Sequence, residues 1–385
     1  MQYRHFGKLN LSPSLLGFGV MRLPVVKKGK SAVIDEDEAV KMIRHAIDQG
    51  VNYVDTAWPY HNGESEIITG IALQEGYREK VMLATKSPTW LMKKPEDWDY
   101  YLDKQLEKLK TDHIDFYLQH CLDEDSYETF KRLNLWEKAM EAKKAGKIKY
   151  FGFSFHDEQD LFMEILDAYD WDFCQIQLNY LDTDYQAGLA GLERAAQKNL
   201  GVIIMEPLRG GRLVNGVPKD LLTKMEEHPA QYRPVEWALR WLAHRPEVST
   251  ILSGMSTMEQ VEDNIALCSA ADMVPNHLSQ EDLSFIDDIA TSWHNKKLIG
   301  CTGCNYCMPC PQGVNIPGCF SQYNYAHSAH ANSESVARSR YKELMNKNQD
   351  ASQCIACGAC EEACPQHLPI IETLSSLHEE LAKKA

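Results

Sequence analysis

Four residues with complementary acid–base chemistry lie at or just after short apolar segments of this chain. Asp55, Lys86 and His120 each stand at the end of such a segment, and Tyr60 lies five residues past Asp55. A phenol has an ordinary pKa of about 10, and a neighbouring ammonium favours the phenolate and makes the tyrosine a better acid. A carboxylate keeps the ammonium charged, and an imidazole can orient or polarise a carbonyl oxygen. The set predicts proton transfer at a carbonyl group.

The elements that must position these residues follow a regular alternation. Amphipathic, helix-like segments such as 35–49 separate eight apolar runs, which span residues 15–19, 51–55, 81–85, 114–119, 150–154, 173–177, 202–206 and 249–254. Eight strand–helix alternations within about 250 residues are what an eight-stranded parallel α/β barrel requires. In such barrels the chemistry lies at the carboxyl ends of the strands, where the four residues fall.

A doubly wound open sheet is the competing interpretation of the same alternation. That fold usually carries a glycine-rich G-x-G-x-x-G turn after its first strand. The sequence has no such turn after the run at 15–19, so the pattern favours the barrel.

Three segments, VDTAWPYHNGESE, LATKSP and FYLQHCLD, together resemble the aldo-keto reductase family. The resemblance covers about residues 1–290. It implies that Asp55, Tyr60, Lys86 and His120 occupy the positions of the family's catalytic tetrad. Tyr60 would then be the general acid, Lys86 and Asp55 would tune it, and His120 would orient the substrate carbonyl. A nicotinamide coenzyme would deliver the hydride.

The same resemblance implies a nicotinamide site with two departures from the family pattern. GFSFH keeps Ser154 but has Phe155 where the family usually has asparagine, and Gln175 matches the glutamine that contacts the nicotinamide amide. Met205 stands where many relatives place an aromatic ring. Methionine can still pack against a ring through its polarizable sulfur, so we expect coenzyme binding of altered strength.

The stretch SGMSTMEQVEDN resembles the family's adenosine-phosphate site, at the start of a helix whose N–H groups can meet phosphate. Its candidate residues are Gly254, Ser256, Gln260 and Asn264. The basic residue that often meets the 2′-phosphate is missing from this stretch. The resemblance therefore implies NADP(H), with NAD(H) left open.

Cysteine is concentrated in the last quarter of the chain, where nine of the twelve residues fall between 301 and 364. The later run, before Pro365, has the spacing C-x₂-C-x₂-C-x₃-C-P and consists of Cys354, Cys357, Cys360 and Cys364. This is the bacterial ferredoxin spacing, in which the fourth cysteine binds the other of two clusters. The pattern predicts an iron–sulfur cluster.

The earlier cysteine run is one residue shorter and consists of Cys301, Cys304, Cys307 and Cys310. The simplest interpretation is two [4Fe–4S] clusters with exchanged fourth ligands. Cys301, Cys304 and Cys307 would share one with Cys364, and the second would have the ligands Cys354, Cys357, Cys360 and Cys310. Cys319 as a substitute ligand, a single cluster, and a zinc site in the first run stay open as alternatives.

The 43 residues between the two runs are too many for a compact two-cluster ferredoxin and suggest intervening helices. The tail resembles α-helical ferredoxin domains in this respect. We therefore expect an α/β chain with a (β/α)8 TIM barrel at 1–290, followed by a small α-helical ferredoxin-like domain at 291–385.

Bulk composition restricts the partners and the location. The net charge of −15 argues against binding to nucleic acid or to an anionic membrane surface. No apolar run approaches the ~20 residues of a membrane span, and the opening MQYRHFGKLN lacks the apolar segment of a signal peptide. We expect a cytoplasmic protein with a small-molecule carbonyl substrate and a redox partner protein as a further candidate.

The two halves pose a problem of electron number. Hydride transfer moves two electrons together, whereas a [4Fe–4S] cluster passes one, and a flavin usually connects the two; the sequence has no flavin fingerprint. Three hypotheses follow. In the first, the barrel is a carbonyl reductase and the clusters serve structure or redox sensing. In the second, the clusters connect the barrel to an external electron carrier, through a bound flavin or an unusual substrate. In the third, the barrel is a nucleotide-binding regulatory or scaffold module, and the tail alone transfers electrons.

Overall fold

The structure, a computed structural model, describes residues 1–28, 31–296, 299–327 and 333–382.

The chain divides into two compact units. One consists of Met1–Pro207 and Leu239–Ser279, and the other of Leu208–Ala238 and Gln280–Ala385. The second unit therefore includes a segment from the middle of the chain as well as the cysteine-rich tail. The domain boundary between residues 290 and 291 stays a prediction.

The first unit is a closed barrel of eight parallel strands, each paired with the next along the chain and the eighth paired with the first. The strands are Leu16–Gly19 (β1), Tyr53–Asp55 (β2), Met82–Ser87 (β3), Ile114–Leu122 (β4), Ile148–Phe155 (β5), Phe173–Gln177 (β6), Gly201–Met205 (β7) and Thr250–Gly254 (β8). The predicted (β/α)8 barrel is confirmed, and the open sheet was the wrong alternative. A separate antiparallel pair, Val25–Lys28 with Ser31–Ile34, follows β1.

The apolar runs form these strands because both of their faces are buried, one inside the barrel and one under the surrounding helices. Phe6, Phe116 and Phe173 pack inside the barrel with ring centroids 5.0–6.1 Å apart. They belong to one buried cluster with Tyr53, Ala84, Leu118, Ile203 and Leu252. This packing fixes the strands whose carboxyl ends carry the candidate catalytic residues.

Sixteen α-helices lie in the described ranges. They are Glu36–Asp48 (α1), Ser65–Ala72 (α2), Glu96–Leu109 (α3), Glu124–Arg132 (α4), Leu135–Lys144 (α5), Gln159–Ala168 (α6), Gly188–Gln197 (α7), Arg212–Asn215 (α8), Lys219–Glu227 (α9), Pro234–Ala243 (α10), Met258–Ser269 (α11), Gln280–His294 (α12), Ile316–Ala326 (α13), Ser333–Asn346 (α14), Ala359–Glu362 (α15) and Ile370–Ala382 (α16). None of those described is long and apolar enough to cross a membrane.

Helix α1 illustrates how local sequence sets these elements. Asp35 caps it by accepting a hydrogen bond from the N–H of Glu38 at 3.3 Å, and Met42 and Ile43 face the core. An acidic first turn is stabilising because it faces the positive end of the helix dipole.

The second unit is helical around its own core. Helices α13, α14 and α16 pack on one another. Their buried residues include Ile316, Phe320, Tyr341, Leu374 and Leu377. The predicted α-helical domain after the barrel is confirmed. Its helices carry the loops that hold the two cysteine runs.

Candidate active site and cluster sites

The four candidate catalytic residues stand at the carboxyl ends of adjacent strands. Asp55 ends β2, Lys86 is next to last in β3, and His120 lies near the end of β4. Their exposed fractions are 2%, 1% and 3%. Tyr60 begins a short 3₁₀ helix after β2 and is half-buried. The barrel thus brings together residues that the sequence separates by up to 65 positions, from Asp55 to His120.

Lys86 is the centre of this group. Its Nζ donates to Asp55 Oδ1 at 2.5 Å and to the carbonyl oxygen of Thr56 at 2.8 Å. The same ammonium lies 3.5 Å from the hydroxyl of Tyr60. The ring of Tyr60 meets the ring of His120 edge-on, with centroids 6.0 Å apart. The tyrosine hydroxyl therefore has a cation within reach on one side and an imidazole beside its ring.

The charges of the site respond to burial. Burial lowers the pKa of Lys86, while Asp55 and Glu66 act in the opposite direction. Burial likewise raises the pKa of Asp55, and the neighbouring Lys86 opposes that shift. The pKa of His120 lies well below the ordinary histidine value because of burial, with Lys86 and His156 adding to the effect. His120 is therefore neutral at neutral pH.

A second buried carboxylate lies behind Lys86. Glu66 is fully buried in α2, where Oε1 accepts from the hydroxyl of Thr85 at 2.7 Å and from the amide of Gln105 at 2.5 Å. Its Oε2 accepts from Lys108 at 3.2 Å. Gln105 also donates to the carbonyl oxygen of Lys86 at 3.0 Å. These bonds hold the strand that carries Lys86. The sequence analysis missed Glu66, because its partners lie on other elements and no local pattern reports such contacts.

Two tryptophans follow the strand ends. Trp90 packs against His120 with ring centroids 5.2 Å apart, and 47% of it is exposed. Trp58 instead packs against Tyr101 and lies under the ammonium of Lys108, 3.7 Å from its ring centroid. Trp90 is therefore the tryptophan placed to contact a substrate at His120.

The candidate nicotinamide residues lie on the next three strands. Ser154 on β5 and Gln175 on β6 are buried and stand opposite one another in the strand register. The Ser154 hydroxyl accepts the N–H of Cys121 at 2.7 Å. Met205 ends β7 and is half-buried.

The buried polar atoms that have no hydrogen-bond partner in the described part of the chain include Asp55 Oδ2, His120 Nδ1 and Gln175 Oε1. Leaving a buried polar group unpaired costs about 1–3 kcal/mol. Such atoms are expected at a site whose remaining partners come from a ligand.

The candidate adenosine-phosphate residues surround the start of α11. Thr257 caps this helix by accepting the N–H of Gln260 at 3.3 Å, and Gln260 Oε1 accepts the N–H of Ser256 at 2.8 Å. Asn264 donates to the hydroxyl of Ser253 at 3.0 Å. Gly254 ends β8. The N–H groups of Ser256 and Gln260 thus already have internal acceptors.

The structure adds one residue to this stretch that the sequence analysis missed. The Ser256 hydroxyl donates to the carbonyl oxygen of Arg22 at 2.8 Å, and the side chain of Arg22 lies against Gly254. Arg22 lies 234 residues before Ser256 in the sequence. Only the neighbouring ends of β1 and β8 bring it to this position.

In the second unit, the cysteines line two cavities in the combination that the sequence suggested. Cys301, Cys304, Cys307 and Cys364 line the first cavity. The second cavity, of about 130 Å³, is lined by Cys310, Cys354, Cys357 and Cys360, with Cys307 also at its edge. The two runs therefore exchange their fourth cysteines in space. Ligation of clusters by these residues stays a prediction.

The cysteine environments fit a group that binds thiolates. Burial raises the pKa of Cys307 to about 12, and the nearby Cys304, Cys301 and Cys364 raise it further. Four thiols this close repel as thiolates unless a cationic group lies among them. The N–H of Gly303 points at the sulfur of Cys301, at 3.4 Å. The later run repeats this N–H···S contact between Ala356 and Cys354, at 3.4 Å. Hydrogen bonds to sulfur are among the factors that set cluster potentials.

Cys319 is not at either cavity. It is fully buried in α13 within the helical core, and its sulfur lies 3.8 Å from the carbonyl oxygen of Gln349. Across the described ranges, no three Cys, His, Asp or Glu side chains form a group that could hold a single metal ion.

Within the second unit, the segment after β7 contacts the residues at the start of the first cysteine run. Arg212 donates to the carbonyl oxygen of Ile299, and the guanidinium of Arg209 lies beside Gly300. Gly210 has φ +63°, and a Cβ there would overlap the carbonyl oxygen of Thr302, which lines the first cavity. The loop of Cys301–Cys304 therefore rests on Arg209–Arg212.

The fold and the acid–base group at its strand ends define an oxidoreductase built on a parallel barrel. Residues 15–290 match the model of the aldo/keto reductase family, and the chain belongs to this family. Residues 300–368 match a 4Fe-4S dicluster domain, which indicates that the tail binds iron–sulfur clusters. The resemblance read from the sequence is thereby confirmed.

Curated relatives and solved structures agree with this membership. The uncharacterized oxidoreductase YqkF of Bacillus subtilis is 26% identical over 302 residues, which cover 70% of this chain and 92% of the relative. The NADH-specific methylglyoxal reductase of Escherichia coli is 26% identical over 304 residues, covering 67% and 89%. Holo aldo-keto reductase AKR11C1 from Bacillus halodurans superposes with a TM-score of 0.60 at 25% identity, covering 75% and 96%.

The contact between Gly210 and Thr302 generates a prediction. Gly210→Ala should lower the iron content of the anaerobically purified protein and speed iron loss to a chelator, because the new methyl group displaces the loop of Cys301. Gly211→Ala is the matched control, since Gly211 has φ +89° with nothing within 4 Å of its Cβ position. Both variants carry the left-handed backbone penalty of about 1–2 kcal/mol, but only one displaces Thr302. Equal iron retention in the two would contradict the prediction.

Proposed function

We propose that this chain interconverts an aldehyde or ketone with the corresponding alcohol, using NAD(P)(H) at the carboxyl end of the barrel. We further propose that its second unit holds two [4Fe–4S] clusters. The observation that carries the first proposal is the position of one buried ammonium, that of Lys86, between the carboxylate of Asp55 and the hydroxyl of Tyr60.

Each side chain then has a defined part in the reaction. Tyr60 donates a proton from its hydroxyl to the carbonyl oxygen, and Lys86 stabilises the phenolate left behind. Asp55 keeps Lys86 charged and fixed. His120, neutral because of its lowered pKa, orients the carbonyl without adding a second cation beside Lys86. The coenzyme, when bound, supplies or accepts the hydride.

The residues proposed to hold the coenzyme fall at its two ends. Ser154 and Gln175 would meet the nicotinamide amide, and the unpaired Oε1 of Gln175 is an acceptor for its NH₂ group. Met205 would pack against the nicotinamide ring. The stretch with Gly254, Ser256, Gln260 and Asn264 would meet the adenosine end.

The cysteines lining each cavity are the proposed cluster ligands. Cys301, Cys304, Cys307 and Cys364 would hold the first cluster, and Cys310, Cys354, Cys357 and Cys360 the second. The clusters, when bound, would supply one-electron transfer or structural support.

A second candidate function, exchange of electrons with an external carrier, is favoured by one observation. Cys357 is exposed at the second cavity, and Ile355 beside it is 64% exposed. A cluster held there would have an edge open to a partner. This function needs a two-electron to one-electron converter, such as a bound flavin, or an unusual substrate.

Removing the proposed acid tests the carbonyl chemistry. Tyr60→Phe should lower kcat for a panel of aliphatic and aromatic aldehydes by roughly 10²–10⁴-fold, the usual contribution of general acid catalysis. Coenzyme affinity should change little, because the hydroxyl is proposed to act on the substrate. Tyr100→Phe, at a tyrosine that is 56% exposed on α3, is the matched control. Tight nucleotide binding by the wild type without turnover of any aldehyde would favour the nucleotide-binding module instead.

The neutral imidazole generates a prediction about pH. Because the pKa of His120 lies well below the ordinary value, the residue stays unprotonated as the pH falls through the usual range for histidine. We therefore expect kcat for aldehyde reduction to show no loss between about pH 7 and 6. A histidine-like decrease in that range that disappears in His120→Gln would contradict the assignment.

Metal analysis with an optical titration tests the second unit. About eight irons and eight acid-labile sulfides per anaerobically purified chain are expected for two clusters. About four irons per chain would indicate a single cluster. Zinc in the purified protein would contradict the assignment of the first cysteine run. Bleaching of the cluster absorbance by NAD(P)H would support electron exchange between the two chemistries. An unchanged spectrum with intact aldehyde turnover would support clusters that serve structure or sensing.

A further inference from the structure

The adenosine-phosphate stretch has no cation of its own. Between Met255 and Asn264 the charged residues are all acidic: Glu259, Glu262 and Asp263. A phosphate monoester carries about −1.5 to −2 charge at pH 7. If a phosphate group binds at this stretch, a positively charged side chain that faces it must therefore come from another element of the chain.

Arg22 is the arginine that the fold brings to this stretch. It ends the 3₁₀ helix Val20–Arg22 directly after β1, and Gly19 and Gly254 stand opposite one another where β1 pairs with β8. The carbonyl oxygen of Arg22 accepts the hydroxyl of Ser256 at 2.8 Å. Backbone and side chain of Arg22 are thus both tied to residues of the proposed adenosine site.

The side chain of Arg22 crosses the face of Gly254. A Cβ built on Gly254 would lie 3.1 Å from Cγ of Arg22 and 3.3 Å from its Cβ and Cδ. Glycine at this position leaves room for the arginine methylene groups. The stem of the side chain is therefore already packed beside the site, which reduces the conformational entropy that binding would cost.

We propose that Arg22 binds the 2′-phosphate of the adenosine ribose, and that it thereby gives this chain a preference for NADP(H) over NAD(H). The proposal rests on the coenzyme site of the proposed function. A guanidinium suits the task because its planar fork of donors matches phosphate oxygens, often in a bidentate contact. NAD(H) has a hydroxyl at the same position and gains nothing from the charge.

Equilibrium binding to the intact holoprotein tests this role without requiring turnover. Titrations would compare NADP⁺ with NAD⁺, and 2′,5′-ADP with 5′-ADP, for the wild type, Arg22→Ala and Lys104→Ala. Lys104 is the control cation: it lies on α3, is 46% exposed and pairs with Glu107 at 2.6 Å.

Arg22→Ala should weaken NADP⁺ and 2′,5′-ADP roughly ten- to a hundredfold, the range for loss of a charged hydrogen bond. The affinities for NAD⁺ and 5′-ADP should stay within about twofold. Lys104→Ala should leave all four affinities near those of the wild type.

A second variant keeps the guanidinium but displaces it. Gly254→Ala should push the arginine stem away and weaken NADP⁺ more than NAD⁺. In an Arg22→Ala background the same change should have no selective effect on NADP⁺, since the group it displaces is gone. Melting curves would show that each variant is folded.

The outcomes separate this inference from the proposed function. Unchanged NADP⁺ affinity in Arg22→Ala, or equal losses for NADP⁺ and NAD⁺, would overturn the role of Arg22 and leave the coenzyme site standing. Wild-type protein that prefers NAD⁺ would overturn it in the same way. Wild-type protein that binds none of the four nucleotides would overturn both.

Discussion

The buried ion pair between Lys86 and Asp55 is the interaction on which the barrel's site depends. Burying either charge alone would be unfavourable. Removing one partner of such a pair typically lowers the free energy of unfolding by about 3–5 kcal/mol. Burial works against the charged form of Lys86, and Glu66 adds to Asp55 in supporting it. Glu66 is in turn paired with Lys108. Two carboxylates and two ammonium groups therefore stand in alternation, and Asp55 and Glu66 both favour the charged form of the ammonium nearest Tyr60.

In the second unit, the buried polar groups that the fold brings together are cysteine thiols. Four thiols converge on each cavity, and helices α13, α14 and α16 supply the apolar core from which the two cysteine loops extend. Because Cys310 joins the later run and Cys364 the earlier one, neither run completes its cavity alone. Folding of the two loops is therefore coupled. The segment Leu208–Ala238 belongs to this unit too, and Arg209–Arg212 within it contact the first cysteine loop.

Much of this architecture could be predicted from the sequence, for identifiable reasons. The eight strands are apolar runs bounded by polar segments. The four candidate catalytic residues lie at or just after the ends of these runs, so their places in the sequence predict their places in the barrel. Helix α2 has only 8 residues, about two turns, so its sequence alone sets no clear helical period. Glu66 and Arg22 act across elements that are distant in sequence, and no local pattern reports such contacts. For the same reason the membership of Leu208–Ala238 in the second unit was not foreseen.

The hydride transfer proposed for the barrel and the one-electron chemistry proposed for the clusters have separate requirements. On the proposed assignment, Tyr60, Lys86 and His120 complete the proton side of hydride transfer, so the barrel needs nothing from a cluster to turn over. In the second unit, most cysteines at the two cavities are partly buried; Cys364 at the first is 9% exposed, whereas Cys357 at the second is exposed. Solvent exposure is one of the factors that set cluster potentials. A cluster held in the second cavity would therefore have its exposed edge at Cys357, which is where an external carrier could approach it.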